Sequence, residues 1–149
     1  MTQEDKELLL KDLCARLPYG VKVLNRLEFA EVNEAKEIQY IEPLNSRVKL
    51  QGDPPGSTID IEDVVPYLRS ISSMTKEERD EFENIIGFNV WSNDFDNQPD
   101  FWSNDCAYID KECVVKTFNW LNAHHFDYRD LISMGLAIEA KGENNPYQI

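Results

Sequence analysis

The stretch Gly20-Val-Lys-Val-Leu-Asn-Arg-Leu-Glu-Phe29 decides the fold class, because its apolar and polar residues largely alternate. Alternation with a period of two is typical of a β-strand with one buried face. The pattern recurs as far as residue 61, and its apolar pairs are Val21 and Val23, Leu27 and Phe29, Ile38 and Tyr40, Val48 and Leu50, and Ile59 and Ile61. The sequence therefore predicts five short strands in residues 20–62.

Residues that favour turns separate the predicted strands, at Asn25, near Asn33, at 43–46 and at 51–57. Several short antiparallel strands with one apolar face tend to close on themselves, because closure removes the unpaired edges. We therefore predict an α+β protein in which residues 20–69 form a small five-stranded antiparallel barrel or curled sheet of the Src-homology type. Residues 63–69 are predicted to close the barrel as one helical turn that tolerates Pro66.

A helix is predicted over residues 1–18. Thr2 can cap this helix, with Asp5 three residues later, and Pro18 ends it. Its apolar residues follow helical spacing at Leu10, Leu13, Cys14 and Leu17. Leu8 and Leu9 widen that stripe, so we expect the helix to pack on the sheet.

Residues 70–149 are predicted to form an acidic loop and helices with a closing strand. Thr75 and Glu78 predict a capping box for a helix over 76–86, and a second helix is expected over 111–124. The apolar stripe of the second helix is predicted at Val114, Phe118, Leu121 and His125.

The end of the chain is predicted to hold a short helix over 128–133, capped by Asp127 and followed by Gly135. Residues 136–140 alternate and predict a final strand, which must join the sheet to satisfy its backbone groups. Residues 1–149 are expected to be a single compact unit, and the residues from Lys141 are the part least expected to be folded.

The net charge of −13 is concentrated in residues 77–112, where 11 acidic residues face only Arg79 and Lys111. Such a surface repels phosphate groups, so direct nucleic-acid binding is not expected, while a basic protein partner or mimicry of nucleic acid stays open. The sequence shows neither an apolar signal core nor a run long enough to span a membrane. We therefore expect a cytoplasmic protein that does not bind a membrane.

Residues 88–110 interleave aromatic and acidic side chains, and the tetrapeptide Trp-Ser-Asn-Asp occurs in them twice. Because Trp and Tyr are favoured interface anchors, this segment is the candidate binding surface. Its candidate residues are Trp91, Asp94, Asp96, Phe101, Trp102, Asp105 and Tyr108. A calcium loop is disfavoured here, because Pro99 stands where such a loop needs glycine.

His124, His125, Asp127 and Arg129 form an alternative candidate site. Two imidazoles and a carboxylate are the ligands of several metal centres. However, neighbouring residues on a helix point about 100° apart, so both histidines can face one metal only where the helix has ended. The structural alternative places His125 in the apolar stripe and makes Asp127 a helix cap. No catalytic motif occurs, so no catalytic residue, metal or cofactor is predicted.

Three stretches carry a resemblance to one family: Leu-Cys-Ala-Arg-Leu-Pro-Tyr-Gly-Val-Lys-Val at 13–23, Pro-Tyr-Leu-Arg-Ser-Ile-Ser-Ser-Met-Thr at 66–75, and Leu-Asn-Ala-His-His-Phe-Asp-Tyr-Arg-Asp-Leu-Ile-Ser-Met-Gly-Leu-Ala-Ile-Glu-Ala at 121–140. They resemble a family of small uncharacterised proteins from gut-dwelling anaerobic bacteria and their prophages. In that family glycine usually stands at the position of Asp130, and proline often stands at Ser70 or Ser133. The resemblance implies a bacterial or phage setting and an accessory role.

From the sequence we expect a non-catalytic accessory protein that acts by binding another protein. One alternative is an acidic mimic of nucleic acid that binds a DNA-binding protein. Another is a metal-dependent enzyme at His124, His125 and Asp127. The sequence leaves the oligomeric state open.

Overall fold

The computed structural model describes residues 1–27, 34–86 and 111–147, which form an α+β fold. Its helices are α1 (Gln3–Arg16), α2 (Lys76–Ile86) and α3 (Lys111–Ala123). Its strands are β1 (Lys22–Asn25), β2 (Lys36–Glu42), β3 (Arg47–Leu50), β4 (Ile59–Asp60), β5 (Val64–Leu68) and β6 (Ile138–Glu139). Short 3-10 turns connect several of these elements.

The described strands form one six-stranded sheet in the order β4-β3-β2-β1-β5-β6. All neighbouring strands are antiparallel except β5 and β6, which are parallel with Tyr67 opposite Ile138. The sheet does not close into a barrel, so the predicted Src-homology-type barrel is wrong. Its two edge strands are only two residues long, and so short an edge leaves few unpaired backbone groups to protect.

The predicted strands around Val21, Ile38, Val48 and Ile59 are confirmed as β1 to β4. The predicted strand at 27–29 extends into residues 28–33, which lie outside the described residues. The helical turn predicted for residues 63–69 is wrong, because this stretch forms β5.

The alternating pattern does not identify β5, because all five of its residues are buried. In a strand buried on both faces, apolar and polar residues do not alternate. It lies between β1 and β6. Pro66 is opposite Val23 of β1, and the pairing with β6 begins one residue later, at Tyr67. The parallel neighbour therefore pairs with residues that follow the proline.

Helix α1 begins with the predicted capping box between Thr2 and Asp5 and packs on the sheet. Its buried face consists of Leu9, Asp12, Leu13 and Arg16. Leu9 and Leu13 belong to the first hydrophobic core, whose buried strand residues are Val23, Ile38, Val48, Leu50, Val64 and Leu68. Cys14 of the predicted stripe is exposed. The other predicted apolar residues of the helix are buried or pack against the core. The prediction missed Asp12 and Arg16, because an apolar pattern does not assign charged residues to a core.

Helices α2 and α3 pack together around a second core beyond the end of β5. Its buried members are Ile71, Met74, Phe82, Ile86, Trp120, Leu121 and Phe126. The capping box of α2 is confirmed, because the Thr75 N–H donates to Glu78 Oε2 (2.9 Å) and the Glu78 N–H donates to Thr75 Oγ1 (3.2 Å). On α3 the predicted stripe is confirmed only at its C-terminal end: Leu121 and His125 are buried, whereas Val114 and Phe118 are 40% and 39% exposed.

The short helix predicted for residues 128–133 is replaced by hydrogen-bonded turns. Asp127 accepts backbone hydrogen bonds as predicted. The donors are the N–H groups of Leu131 (3.0 Å) and Ile132 (2.8 Å), in a turn and not in a helix. The chain then reaches β6, which confirms the closing strand. In the described part of the chain, no helix combines the length and apolarity needed to cross a membrane.

Candidate functional site

The turn that carries the two histidines is fixed to the end of β5 through Arg69. The Arg69 N–H donates to the His125 carbonyl (2.8 Å), and the Asp127 N–H donates to the Arg69 carbonyl (2.8 Å). His125 adopts φ +60°, which turns the chain sharply after α3. This left-handed conformation is uncommon for a residue with a side chain, although histidine adopts it more readily than most. The backbone of the turn therefore continues the sheet as a parallel bridge between Arg69 and Phe126.

The side chain of Arg69 also joins β5 to α2. Its two terminal nitrogens donate to both carboxylate oxygens of Glu78 (2.7 and 2.8 Å), and its guanidinium lies 4.3 Å from the centroid of the Phe126 ring. Burial alone would raise the pKa of Glu78, but hydrogen bonds from Arg69 and Thr75 outweigh it and lower that pKa. A bidentate pair of this kind is geometrically specific and fixes α2 against the turn.

The two histidine rings contact different parts of the fold. His124 stacks on Trp120, with ring centroids 4.0 Å apart, and its Nδ1 lies 2.9 Å from the Trp120 carbonyl oxygen. His125 stacks on Tyr147 at 3.8 Å with an interplanar angle of 11°. The carboxylate of Asp127 is engaged by the backbone N–H groups of the following turn. The three side chains therefore do not converge on a common point.

Arg129, the fourth residue of this candidate site, is directed toward α1, with its Nε 3.3 Å from Asp12 Oδ1. Across residues 1–27, 34–86 and 111–147, no group of three or more His, Cys, Asp and Glu side chains could hold a metal ion. The geometry is consistent with the argument from helical spacing that adjacent histidines point apart.

Tyr147 lies in the C-terminal region that was least expected to be folded. Its hydroxyl accepts a hydrogen bond from the Lys22 N–H (2.9 Å) and donates to the Tyr67 carbonyl (2.9 Å). Because Val23 pairs with Pro66, this hydroxyl bridges β1 and β5 at the next step of the ladder. A tyrosine in a polar tail carries no sequence signal for such a role, so sequence reasoning missed it.

Burial controls the protonation of the stacked pair. Burial first, and then the nearby charges of Arg16, His124, Arg69 and Lys22, lower the pKa of His125 to about 4. Burial also raises the pKa of Tyr147. Both rings are therefore neutral near pH 7, and Nδ1 of His125 has no hydrogen-bond partner in the described part of the chain.

A buried ion pair in α1 supports the opposite side of the same turn. Asp12 and Arg16 are both fully buried, and Arg16 donates to the two Asp12 oxygens at 2.7 and 3.0 Å. Arg16 also donates to the Phe126 carbonyl (2.8 Å), and its guanidinium lies 5.3 Å from the centroid of the Tyr128 ring. The spacing of four residues was visible in the sequence, but the burial of this pair was not.

The candidate binding residues of the acidic, aromatic segment (Trp91, Asp94, Asp96, Phe101, Trp102, Asp105 and Tyr108) lie outside the described residues. The structure does describe the two helix ends that flank the segment. Cys113 Sγ, near the start of α3, lies 3.5 Å from the Ile85 carbonyl oxygen and 3.7 Å from that of Ile86, at the end of α2. The described residues on the two sides of 87–110 therefore lie next to each other.

Helices α2 and α3 also place exposed apolar and acidic side chains on the surface. On α3, Val114, Val115 and Phe118 are 40%, 57% and 39% exposed. On α2, the exposed acids are Glu77, Asp80 and Glu81. None of these three acids forms an ion pair with another described residue.

Comparison with known proteins finds no relative of this chain. No protein-family model matches the chain, and no match is found among curated proteins or solved structures. The candidate surfaces are therefore inferred from the chain's own residues and from the described part of the structure.

Proposed function

We propose that this protein is a non-catalytic accessory protein that binds another protein through the acidic, aromatic segment and the helices that flank it. The observation that supports the proposal is the contact of α2 and α3 at Ile86 and Cys113, the described residues that flank 87–110. Binding residues commonly sit on segments supported by a rigid scaffold. Here the scaffold is the second core, in which Phe82 and Trp120 rings lie 5.2 Å apart.

The exposed side chains of α3 support the same surface. Val114, Val115 and Phe118 stand on the first two turns after the segment rejoins the fold. Trp91, Trp102 and Phe118 are aromatic residues of the kind enriched at interface cores, and the two valines add exposed apolar area. The acids of residues 77–112 favour a partner with a basic surface.

The resemblance to proteins of gut anaerobic bacteria and their prophages supports a bacterial, prophage-associated setting in the cytoplasm. An accessory protein of this kind would act by occupying or presenting a partner, with no chemistry of its own. The partner's identity would follow from affinity capture in such a host.

The test compares captured partners quantitatively for wild type and two surface variants. Trp91→Ala/Trp102→Ala removes the aromatic anchors, and Val115→Asp places a charge on the exposed face of α3. Both variants should reduce the recovery of the same partner at least about tenfold, which corresponds to the loss of one hot-spot residue.

The matched control is Leu44→Asp, because Leu44 is 99% exposed in the connection between β2 and β3 and the substitution adds the same charge. The control should retain the partner. Equal recovery with wild type, Val115→Asp and the double tryptophan variant would exclude this surface.

Mimicry of nucleic acid is a second candidate, favoured by the exposed carboxylates on one face of α2. Glu77, Asp80 and Glu81 occupy neighbouring positions on that face, as a row of phosphates would. Such a mimic should bind a DNA-binding protein in competition with duplex DNA, and the affinity should fall steeply with salt.

The neutral variant Glu77→Gln/Asp80→Asn/Glu81→Gln tests this second candidate. Its control removes three exposed acids elsewhere, as Glu4→Gln/Glu7→Gln/Glu143→Gln. If both triple variants compete with DNA equally well, the α2 face is not the mimic.

A further inference from the structure

We propose that residues 141–147 form an acid-released strap, in which protonation of the His125 ring frees Tyr147 from the end of the β1–β5 pair. The proposal concerns a conformational device and is independent of the proposed binding function. It rests on how Tyr147 is held and on what surrounds His125.

Three contacts of the strap hold it closed. The Tyr147 hydroxyl bonds both strands at once, through the Lys22 N–H and the Tyr67 carbonyl. The Lys22 ammonium donates to the Pro146 carbonyl oxygen (3.1 Å). The Tyr147 ring covers the His125 ring face to face at 3.8 Å.

The closed strap leaves no place for a second proton on His125. Its Nδ1 is buried and lacks an acceptor in the described part of the chain, so a proton there would be an unsatisfied buried donor. His125 as a whole is only 8% exposed. Water can solvate an imidazolium at this position only when Tyr147 moves away.

Cationic groups on the elements packed against His125 oppose its protonation. They are Arg16 on α1, Lys22 on β1, Arg69 at the end of β5 and the adjacent His124. The carboxylates of Asp12 and Glu78 are already bonded to Arg16 and Arg69, so neither is available to an imidazolium. Glu37 faces Tyr147 and Lys22 from β2 and does not bond His125.

The size of the effect follows from proton linkage. In the open strap His125 regains its ordinary pKa of about 6.5, whereas in the closed strap it is about 4. The closed state is therefore fully favoured well above pH 6.5, and its equilibrium constant falls by up to about tenfold per pH unit between pH 6.5 and pH 4. Between pH 7 and pH 4 the equilibrium constant for closure should fall about 100-fold.

Hydrogen exchange at the Lys22 amide measures this equilibrium directly, because that N–H is bonded to Tyr147. The amide of Ile38, which donates to the Val21 carbonyl in the sheet, reports on opening of the sheet itself. With intrinsic rates corrected at each pH, protection of Lys22 should fall as the pH is lowered while protection of Ile38 stays constant. The His125 ring resonances should titrate with the same midpoint as the Lys22 protection.

Two substitutions sharpen the test. His125→Asn tolerates φ +60° but does not titrate, so its Lys22 protection should not change between pH 7 and pH 4. His124→Asn is the matched control. Its Lys22 protection should still fall between pH 7 and pH 4, because His124 stacks on Trp120 and not on Tyr147, and loss of its charge removes only one of the groups that oppose protonation of His125.

Protection of Lys22 in wild type that does not depend on pH would overturn the strap. So would a parallel fall at Lys22 and Ile38, which indicates acid unfolding of the sheet. An unchanged pH dependence in His125→Asn would also contradict the assignment to His125, and the wild-type resonance titration decides the matter where that variant does not fold.

Discussion

Breaking the buried Asp12–Arg16 pair should destabilise the protein far more than replacing both partners. Asp12→Leu leaves a fully buried guanidinium with the Phe126 carbonyl as its remaining hydrogen-bond partner among the described residues, which should cost about 3–5 kcal/mol. Arg16→Met should cost somewhat less, since Arg129 lies 3.3 Å from Asp12 and offers a replacement charge.

The double variant Asp12→Leu/Arg16→Met removes both buried charges and fills similar volume with apolar groups. Its stability should lie within about 1 kcal/mol of wild type, because replacing a buried pair by apolar side chains is often neutral or stabilising. The coupling energy in this double-mutant cycle should therefore be at least about 2 kcal/mol.

Urea unfolding followed by circular dichroism at pH 7 and 25 °C supplies all four free energies. For a chain of this size, Asp12→Leu should lower the Tm by about 6–20 °C. The exposed pair Glu112–Lys116 has the same spacing on α3, with side chains 73% and 62% exposed, and provides the control. Its double replacement should change stability by less than about 1 kcal/mol. Additive effects of the two single variants in α1 would refute the reasoning.

Substitutions at three further positions test the turn and its attachment. Asp127→Ala should lose about 1–3 kcal/mol, because the buried Leu131 N–H loses its acceptor, and hydrogen exchange at that amide should accelerate; unchanged exchange would contradict the role of the carboxylate. Asp130→Gly should gain about 0.5–1 kcal/mol in urea unfolding by relieving φ +60°, whereas Asp130→Ala at the same site should not. Glu78→Gln should flatten the acid limb of the stability curve: the folded pKa of Glu78 is lowered, so its contribution is present above the unfolded pKa and is lost as pH falls through the folded one. An acid limb as steep as that of wild type would show that the Arg69–Glu78 pair does not contribute.

Local signals in the sequence were sufficient where a few neighbouring residues determine the structure. The Thr2 and Thr75 capping boxes correctly located the starts of α1 and α2, because each is formed within four residues. Alternation located β1 to β4 for the same reason. Strand β5 was missed because burial on both faces removes alternation, and that burial depends on β1, on β6 and on a core assembled from distant residues.

The candidate sites show the same limit. Spacing indicated that His124 and His125 diverge, and their stacking on Trp120 and Tyr147 agrees with it. Nothing local marks Tyr147 as a bridge between β1 and β5, because its partners lie in strands that only the folded chain brings near. Whether the acidic, aromatic segment is a binding surface stays a prediction, to be tested by the capture experiment.

The parallel pairing of β5 with β6 also has a consequence for biosynthesis. Tyr67 leaves the ribosome long before Ile138, its partner in the sheet, is translated. Until then Val64–Leu68 is an apolar strand with one unpaired side, and such a strand is a site of aggregation. Pro66, which has no N–H to offer a neighbouring chain, weakens that hazard at the middle of the strand. The nascent protein therefore completes its sheet only when its C-terminal region emerges, and a translation product that stops before residue 138 should be the form that chaperones retain.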